Sequence, residues 1–191
     1  MIDLVKLHEY KEMFGFFAGQ LAYPDKAAFR ELREAEELNC PPAVREPIAA
    51  YRERMLLLSM DDIEEQYVQT FDFEKSSTLY MTYFKYEDSR ERGQMLTTLK
   101  GVYELYGLEM EGRELPDYLP VMCEFLYAAQ WLNQEQAETA MQTLLAVLED
   151  GTYKLMKSLE KQNSPYFYLI KGLRETFKLC LRQEVNASEL G

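Results

Sequence analysis

The sequence predicts an all-α fold: a single-domain bundle of about nine helices. Two observations carry that expectation. Apolar residues recur at three- and four-residue steps from end to end, with no sustained two-residue alternation. Prolines, glycines and capping side chains fall between the periodic stretches, where helices should start and stop.

Taken in order, Leu4, Leu7, Phe14, Phe17 and Leu21 form a first helix that stops at Tyr23-Pro24. Asp25 caps a second, charged helix through Phe29, Leu32 and Leu38. Pro41-Pro42 and Pro47 should break the chain before Ile48, Tyr51, Met55 and Leu58 resume the pattern. Ser59 and Asp62 have capping-box spacing ahead of Ile63, Tyr67 and Phe71. Asp72–Thr78 reads as a polar break, and Leu79–Phe84 as a short helix with aromatics on several faces. Asp88 or Ser89 starts a helix closed by Gly107, and Gly112 marks the next loop. Asn133 and Gln136 fit another capping box, for a helix ending at Gly151; a shorter helix carries Tyr153, Met156 and Leu159. Ser164-Pro165 opens the last one, along Phe167, Ile170, Leu173, Phe177 and Leu181. One domain is expected over residues 1–185, with 186–191 a frayed tail.

Composition narrows the function. The chain has 191 residues, enough for one sizeable core, and 14 Tyr, 10 Phe and 1 Trp to fill it. A net charge of −12 argues against nucleic acid, whose phosphates need lysine and arginine, and suits a basic peptide partner. Cys40, Cys123 and Cys180 are widely spaced and odd in number, as expected for buried thiols in a reducing compartment. The start Met1-Ile2-Asp3-Leu4-Val5-Lys6 lacks the pattern of a signal peptide, and no apolar run approaches the roughly 18 residues of a membrane span. A cytoplasmic protein without membrane insertion is expected.

No catalytic signature stands out. His8 is the sole histidine and is expected at the surface or in an interhelix hydrogen bond; with scattered cysteines, it leaves no zinc set. The glycines fit no phosphate loop or nucleophile elbow. Carboxylates are abundant, but runs such as Glu31–Glu37 read as solvated faces.

The stretch most worth following is Glu114-Leu115-Pro116-Asp117-Tyr118-Leu119-Pro120, running into Glu124-Phe125-Leu126. Two prolines four apart cannot both lie inside a helix; with Asp117 as N-cap, Pro120 falls in the first turn, where a missing N–H costs nothing. A second block, Tyr67-Val68-Gln69-Thr70-Phe71-Asp72 followed by Ser76-Ser77-Thr78-Leu79-Tyr80, precedes it.

These two blocks, in this order, resemble the signatures of the nitrate reductase delta-subunit chaperones, the NarJ type within the TorD- and DmsD-like maturation proteins. Where the wider group commonly has histidine after proline–aspartate, Tyr118 stands here, which points to the nitrate reductase branch. The resemblance implies a TorD-like fold and a cytoplasmic chaperone that is not an enzyme and keeps no cofactor. It implies binding to the N-terminal segment of the nitrate reductase alpha subunit while the molybdenum cofactor is inserted.

An amphipathic client helix needs an apolar groove with a few polar groups at its rim. Tyr67, Phe71, Tyr80, Tyr83, Phe84, Tyr118, Leu119 and Phe125 can supply the groove, with Met81 and Met122 as adaptable lining. Asp72, Glu74, Glu114 and Asp117 can pair with basic residues of the client. Each has a plainer alternative. Phe71, Leu119 and Phe125 read first as core, Asp72 and Asp117 as helix caps, and Pro116 and Pro120 as structural. Tyr83, Tyr118, Glu114 and Glu74 are the residues expected to reach the client. A monomer is expected. Same-fold service to a sulfoxide or N-oxide reductase, and an unrelated helical enzyme with a carboxylate site, remain as alternatives.

Overall fold

The computed structural model describes residues 2–35, 38–110, 114–132 and 137–181. They form ten α-helices and one 3-10 turn, with two isolated bridge pairs in place of any sheet. The caps expected from Gly112, Asn133 and Gln136, and the tail 186–191, lie outside the described residues.

The first expected helix is two. α1 (Leu4–Glu9) starts at Asp3, whose carboxylate accepts from the Val5 and Lys6 amides; α2 (Lys11–Leu21) follows a turn at Tyr10. The turn separates two loyalties. α1 is tied to the far end of the chain, through Asp3 N–H to the Cys180 carbonyl and the Trp131 indole N–H to the Leu4 carbonyl, whereas α2 packs on α8 and α10. His8 is half-buried with its ring edge-on to Trp131 at 5.8 Å, and its Nδ1 makes no hydrogen bond. A ring contact takes the place of the expected polar one.

Asp25 caps α3 (Lys26–Glu34) by accepting from the Ala28 amide at 2.7 Å, and Leu38 lies beyond that helix. α4 (Pro42–Met55) starts earlier than expected and carries Pro47 inside it. With Pro42 at the helix start, Pro47 removes only its own bond to the residue-43 carbonyl. The helix survives because Val44, Ile48, Tyr51 and Met55 bury a continuous stripe against α10.

The Ser59/Asp62 capping box is complete at the head of α5 (Met60–Phe71). A 3-10 turn, Lys75–Ser77, occupies the polar break, and α6 is confined to Tyr83–Tyr86. Ser89 caps α7 (Arg90–Leu105), which Gly107 closes with φ +69°, a conformation that suits glycine. α8 (Leu119–Ala128) has Pro120 in its first turn, but Tyr118 holds the N-cap position and no side chain caps it.

The two helices expected on either side of Gly151 are one: α9 (Ala137–Lys161), 25 residues and about 37 Å long. Gly151 is a point of close approach rather than a stop. A Cβ there would meet the Met81 Cβ and Sδ at 2.7 Å and the Met81 carbonyl oxygen at 2.9 Å. α10 (Tyr166–Leu179) follows Pro165, with the Ser164 hydroxyl accepting from the Tyr166 amide. α10 runs through the centre of the molecule, against α2, α4 and α9.

Candidate functional site

The two blocks meet through backbone. Residues 79–82 are not helical; they run antiparallel to 117–119, joined at the Tyr80–Tyr118 bridge. The Met81 amide donates to the Asp117 carbonyl at 2.9 Å, and the Leu119 amide to the Leu79 carbonyl at 2.8 Å. Side chains alternate along such a segment. Tyr80 is half-exposed and meets Tyr118, while Leu79 and Met81 are buried in the core.

A chain of phenols follows. The Tyr80 and Tyr118 ring centroids are 5.2 Å apart, and the Tyr80 hydroxyl donates to the Glu114 carboxylate at 2.9 Å. The Tyr67 hydroxyl donates to the Leu21 carbonyl at 2.8 Å, at the end of α2, and lies 3.1 Å from the Tyr118 hydroxyl. Tyr67 has one proton, committed to a carbonyl that can only accept, so Tyr118 is the donor between the two phenols. Tyr23, 53% exposed, packs its ring edge-on to Tyr67 at 5.6 Å. Tyr23 extends the cluster to the α2–α3 turn.

Carboxylates surround these rings. Burial first, then the Tyr118 hydroxyl, raises the Tyr67 phenol far above the usual range. Burial and then Glu114 raise Tyr80. Tyr118 is raised by burial, opposed by its bond to Tyr67, and raised further by Glu114 and Asp72. Tyr23 is raised by partial burial and then by Glu64 and Asp72. All four phenols are therefore neutral near pH 7, in a field set by Glu64, Asp72 and Glu114. Every hydroxyl proton traced above is given to the protein itself, so the surface offers mainly acceptors.

The other candidates lie elsewhere. Asp117 is fully buried and does not cap α8: its Oδ2 accepts from the Thr82 amide at 3.1 Å, the Thr82 hydroxyl and Arg92 Nη2 at 3.3 Å. A contact between its carboxylate and a client is thus replaced by an internal one. Met81 and Met122 are core residues, not groove lining. Phe71 packs between Tyr67 and Tyr166, Leu119 is fully buried, and Phe125 stacks with Tyr103 and Tyr106. Pro116 gives its carbonyl to the Tyr103 hydroxyl at 2.6 Å, and Pro120 is buried in the first turn of α8.

Tyr83 lies under the Arg92 guanidinium at 5.6 Å, and the Phe84 carbonyl accepts from Lys154 on α9. Exposed Glu74 caps the 3-10 turn by accepting from the Ser76 amide and hydroxyl, which hold its carboxyl below the usual range. Ser76 in turn meets Ser158 of α9. The structure thus gathers Tyr67, Tyr80, Tyr118, Glu114 and Asp72, and adds Tyr23 and Glu64. Of the last two, only the position of Tyr23 beside a helix-ending proline was a signal, and it did not reveal the ring's direction.

The family described as nitrate reductase delta subunit matches residues 37–169, a span that holds both blocks. The chain belongs to the nitrate reductase delta-subunit family. Among its relatives is a probable nitrate reductase molybdenum cofactor assembly chaperone, NarJ, of Bacillus subtilis (strain 168), 36% identical over 80% of this chain and 81% of that protein. The nitrate reductase molybdenum cofactor assembly chaperone NarJ of Escherichia coli (strain K12) is 29% identical over 78% of this chain and 62% of that protein. A probable chaperone of the same description, NarW of Escherichia coli (strain K12), is 30% identical over 59% of this chain and 46% of that one. The delta-subunit match starts after Tyr23, so part of the phenol cluster lies outside it. Among the described residues no three His, Cys, Asp or Glu side chains gather to hold a metal, and no helix is long and apolar enough to cross a membrane.

Proposed function

We propose that this delta-subunit-family chain is a cytoplasmic assembly chaperone for a nitrate reductase. It binds the N-terminal segment of the catalytic alpha subunit while the molybdenum cofactor is inserted, and it performs no chemistry itself. The relatives' descriptions support the choice of enzyme system, and the pairing of the two blocks supports the choice of surface. The observation that carries the reading is the Tyr80–Tyr118 bridge, which brings the two family blocks into one half-exposed surface of phenols.

That surface has the character a basic amphipathic segment needs. Phenol rings offer apolar area at low entropic cost, and the half-exposed Tyr80 and Tyr118, their protons committed elsewhere, keep oxygen lone pairs as acceptors. Glu64, Asp72 and Glu114 surround the rings with negative charge. Lysine, arginine and free helix-start amides in a client are donors only, so each finds a complement. A net charge of −12 speeds the approach of such a segment.

Calorimetric titration with a synthetic alpha-subunit N-terminal peptide tests the reading. Saturable binding to that peptide, with none to a scrambled one, is expected. Binding only to a sulfoxide reductase leader would keep the chaperone and change its client. Silence with every leader, or substrate turnover, would end it.

A further inference from the structure

We infer that Arg92, on α7, is a positioning residue of the client surface, acting through the buried carboxylate of Asp117; this rests on the chaperone reading. Asp117 is fully buried, and the Arg92 side chain is only 13% exposed. The guanidinium serves two partners at once. Its Nη2 donates to Asp117 Oδ2 at 3.3 Å, and its Nε donates to the Thr82 hydroxyl at 3.1 Å, which itself donates to the same Oδ2. The Thr82 amide completes that oxygen's set at 3.1 Å. Asp117 Oδ1 makes no hydrogen bond and is buried, so the arginine is the one cation placed to compensate the charge among the described residues.

This cluster fixes the register of the bridge. Asp117 holds residue 81 with its carbonyl and residue 82 with its carboxylate. Those residues lie one and two places after Tyr80, and Asp117 lies one place before Tyr118. Slipping this pairing by one residue would turn Tyr80 inward and Met81 outward. A single bridge pair has little backbone bonding to resist a slip. The buried ion pair supplies the specificity that a longer ladder would otherwise provide. On the far side, Arg92 reaches Asp88 at 3.5 Å and covers the Tyr83 ring, so this side chain joins α7 to both segments of the bridge, beside the Tyr103 hydroxyl at the Pro116 carbonyl.

Removing one partner of a buried pair leaves an uncompensated charge, whereas replacing both restores neutrality. Arg92→Met is therefore compared with Arg92→Met/Asp117→Asn in two measurements: affinity for the alpha-subunit peptide, and the nuclear Overhauser contact between the Tyr80 and Tyr118 rings. Arg92→Met is expected to lose the ring contact and about tenfold or more in affinity. The double variant is expected to regain both. Unchanged ring contact in Arg92→Met would overturn the inference, as would a double variant no better than the single one. If the wild-type chain ignores the peptide, the chaperone reading fails, and the ring contact alone still decides the role of Arg92. If Arg92→Met does not fold, a folded double variant with the contact supports the inference, and an unfolded one refutes it.

Discussion

The Tyr80 and Tyr118 rings face each other at 5.2 Å and 37° across one antiparallel bridge, with both hydroxyl protons committed to the protein. Tyr80 gives its proton to Glu114 and Tyr118 gives its own to Tyr67. Their outward chemistry is therefore a pair of apolar ring faces and a set of oxygen lone pairs. The rings' arrangement depends on backbone bonds that neither ring makes itself, so the surface can be tested both at the phenols and behind them.

At the phenols, Tyr118→Phe and Tyr118→Ala separate hydroxyl from ring. The Phe variant keeps the ring pair and leaves the Tyr67-to-Leu21 bond intact. It should cost about 1 kcal/mol of stability and weaken the client peptide by roughly two- to tenfold. The Ala variant also removes the ring and should weaken binding further, by well over tenfold. Thermal melts and calorimetry on the two variants check the order. Equal affinities for the two would show that the ring does not contact the client.

Behind the phenols, Gly151→Ala reverses the usual rule for a helical glycine. Alanine normally stabilises a helix interior by about 1 kcal/mol over glycine. Here its Cβ would collide with Met81, backbone oxygen included, so a loss of about 1–3 kcal/mol is expected. Gly93→Ala and Gly101→Ala in α7 are the controls, because a Cβ at either meets nothing within 4 Å. Those should gain about 0.5–1 kcal/mol. Urea denaturation of the three variants gives the comparison, and the displaced Met81 should also weaken peptide binding in Gly151→Ala alone.

The same glycine shows what the sequence could and could not reveal. Local signals were legible wherever a side chain acts on its own helix. Asp25, the Ser59/Asp62 box, Ser89 and Gly107 cap where their spacing places them. Signals failed where distant backbone decides. Gly151 has the composition of a stop but is the contact point for Met81, and Leu79–Thr82 has helical spacing while its backbone bonds to residues 117 and 119. Pro47 is carried by the burial of its neighbours, and Asp117 by an arginine 25 residues away. The blocks pointed to two segments that the fold pairs. Which of their residues face outward was set by pairing across the bridge, a relation between segments that no local pattern encodes.

The phenols also predict alkaline behaviour. Tyr51, Tyr67, Tyr103 and Tyr166 are buried, and burial is the leading cause that raises each above the ordinary value of about 10. A phenol whose pKa is raised by folding stabilises the fold below the unfolded value, and that contribution is lost as pH rises past it. The fold should therefore weaken above about pH 10. Absorbance near the phenolate band should rise in two stages, surface tyrosines first and the buried set together with loss of helix by circular dichroism. One smooth stage with helix retained would contradict the burial of these four.

The carboxylates around the cluster predict a salt dependence that divides between affinity and rate. Glu114 is exposed and bonded to the Tyr80 hydroxyl, while Glu64 and Asp72 raise the phenols near them through space. Between about 0.01 M and about 1 M salt the Debye length falls from about 30 Å to about 3 Å, which removes the long-range field but spares direct contacts. Association with a basic peptide should slow steeply over that range, while dissociation changes little. Glu114→Gln keeps an acceptor for Tyr80 and removes one charge. It should flatten the salt dependence of the association rate while changing the dissociation rate by less than about threefold. Stopped-flow measurements on both proteins separate the two rates. If Glu114→Gln accelerated dissociation and left the salt slope intact, Glu114 would be a direct ion-pair partner of the client rather than part of the field that attracts it.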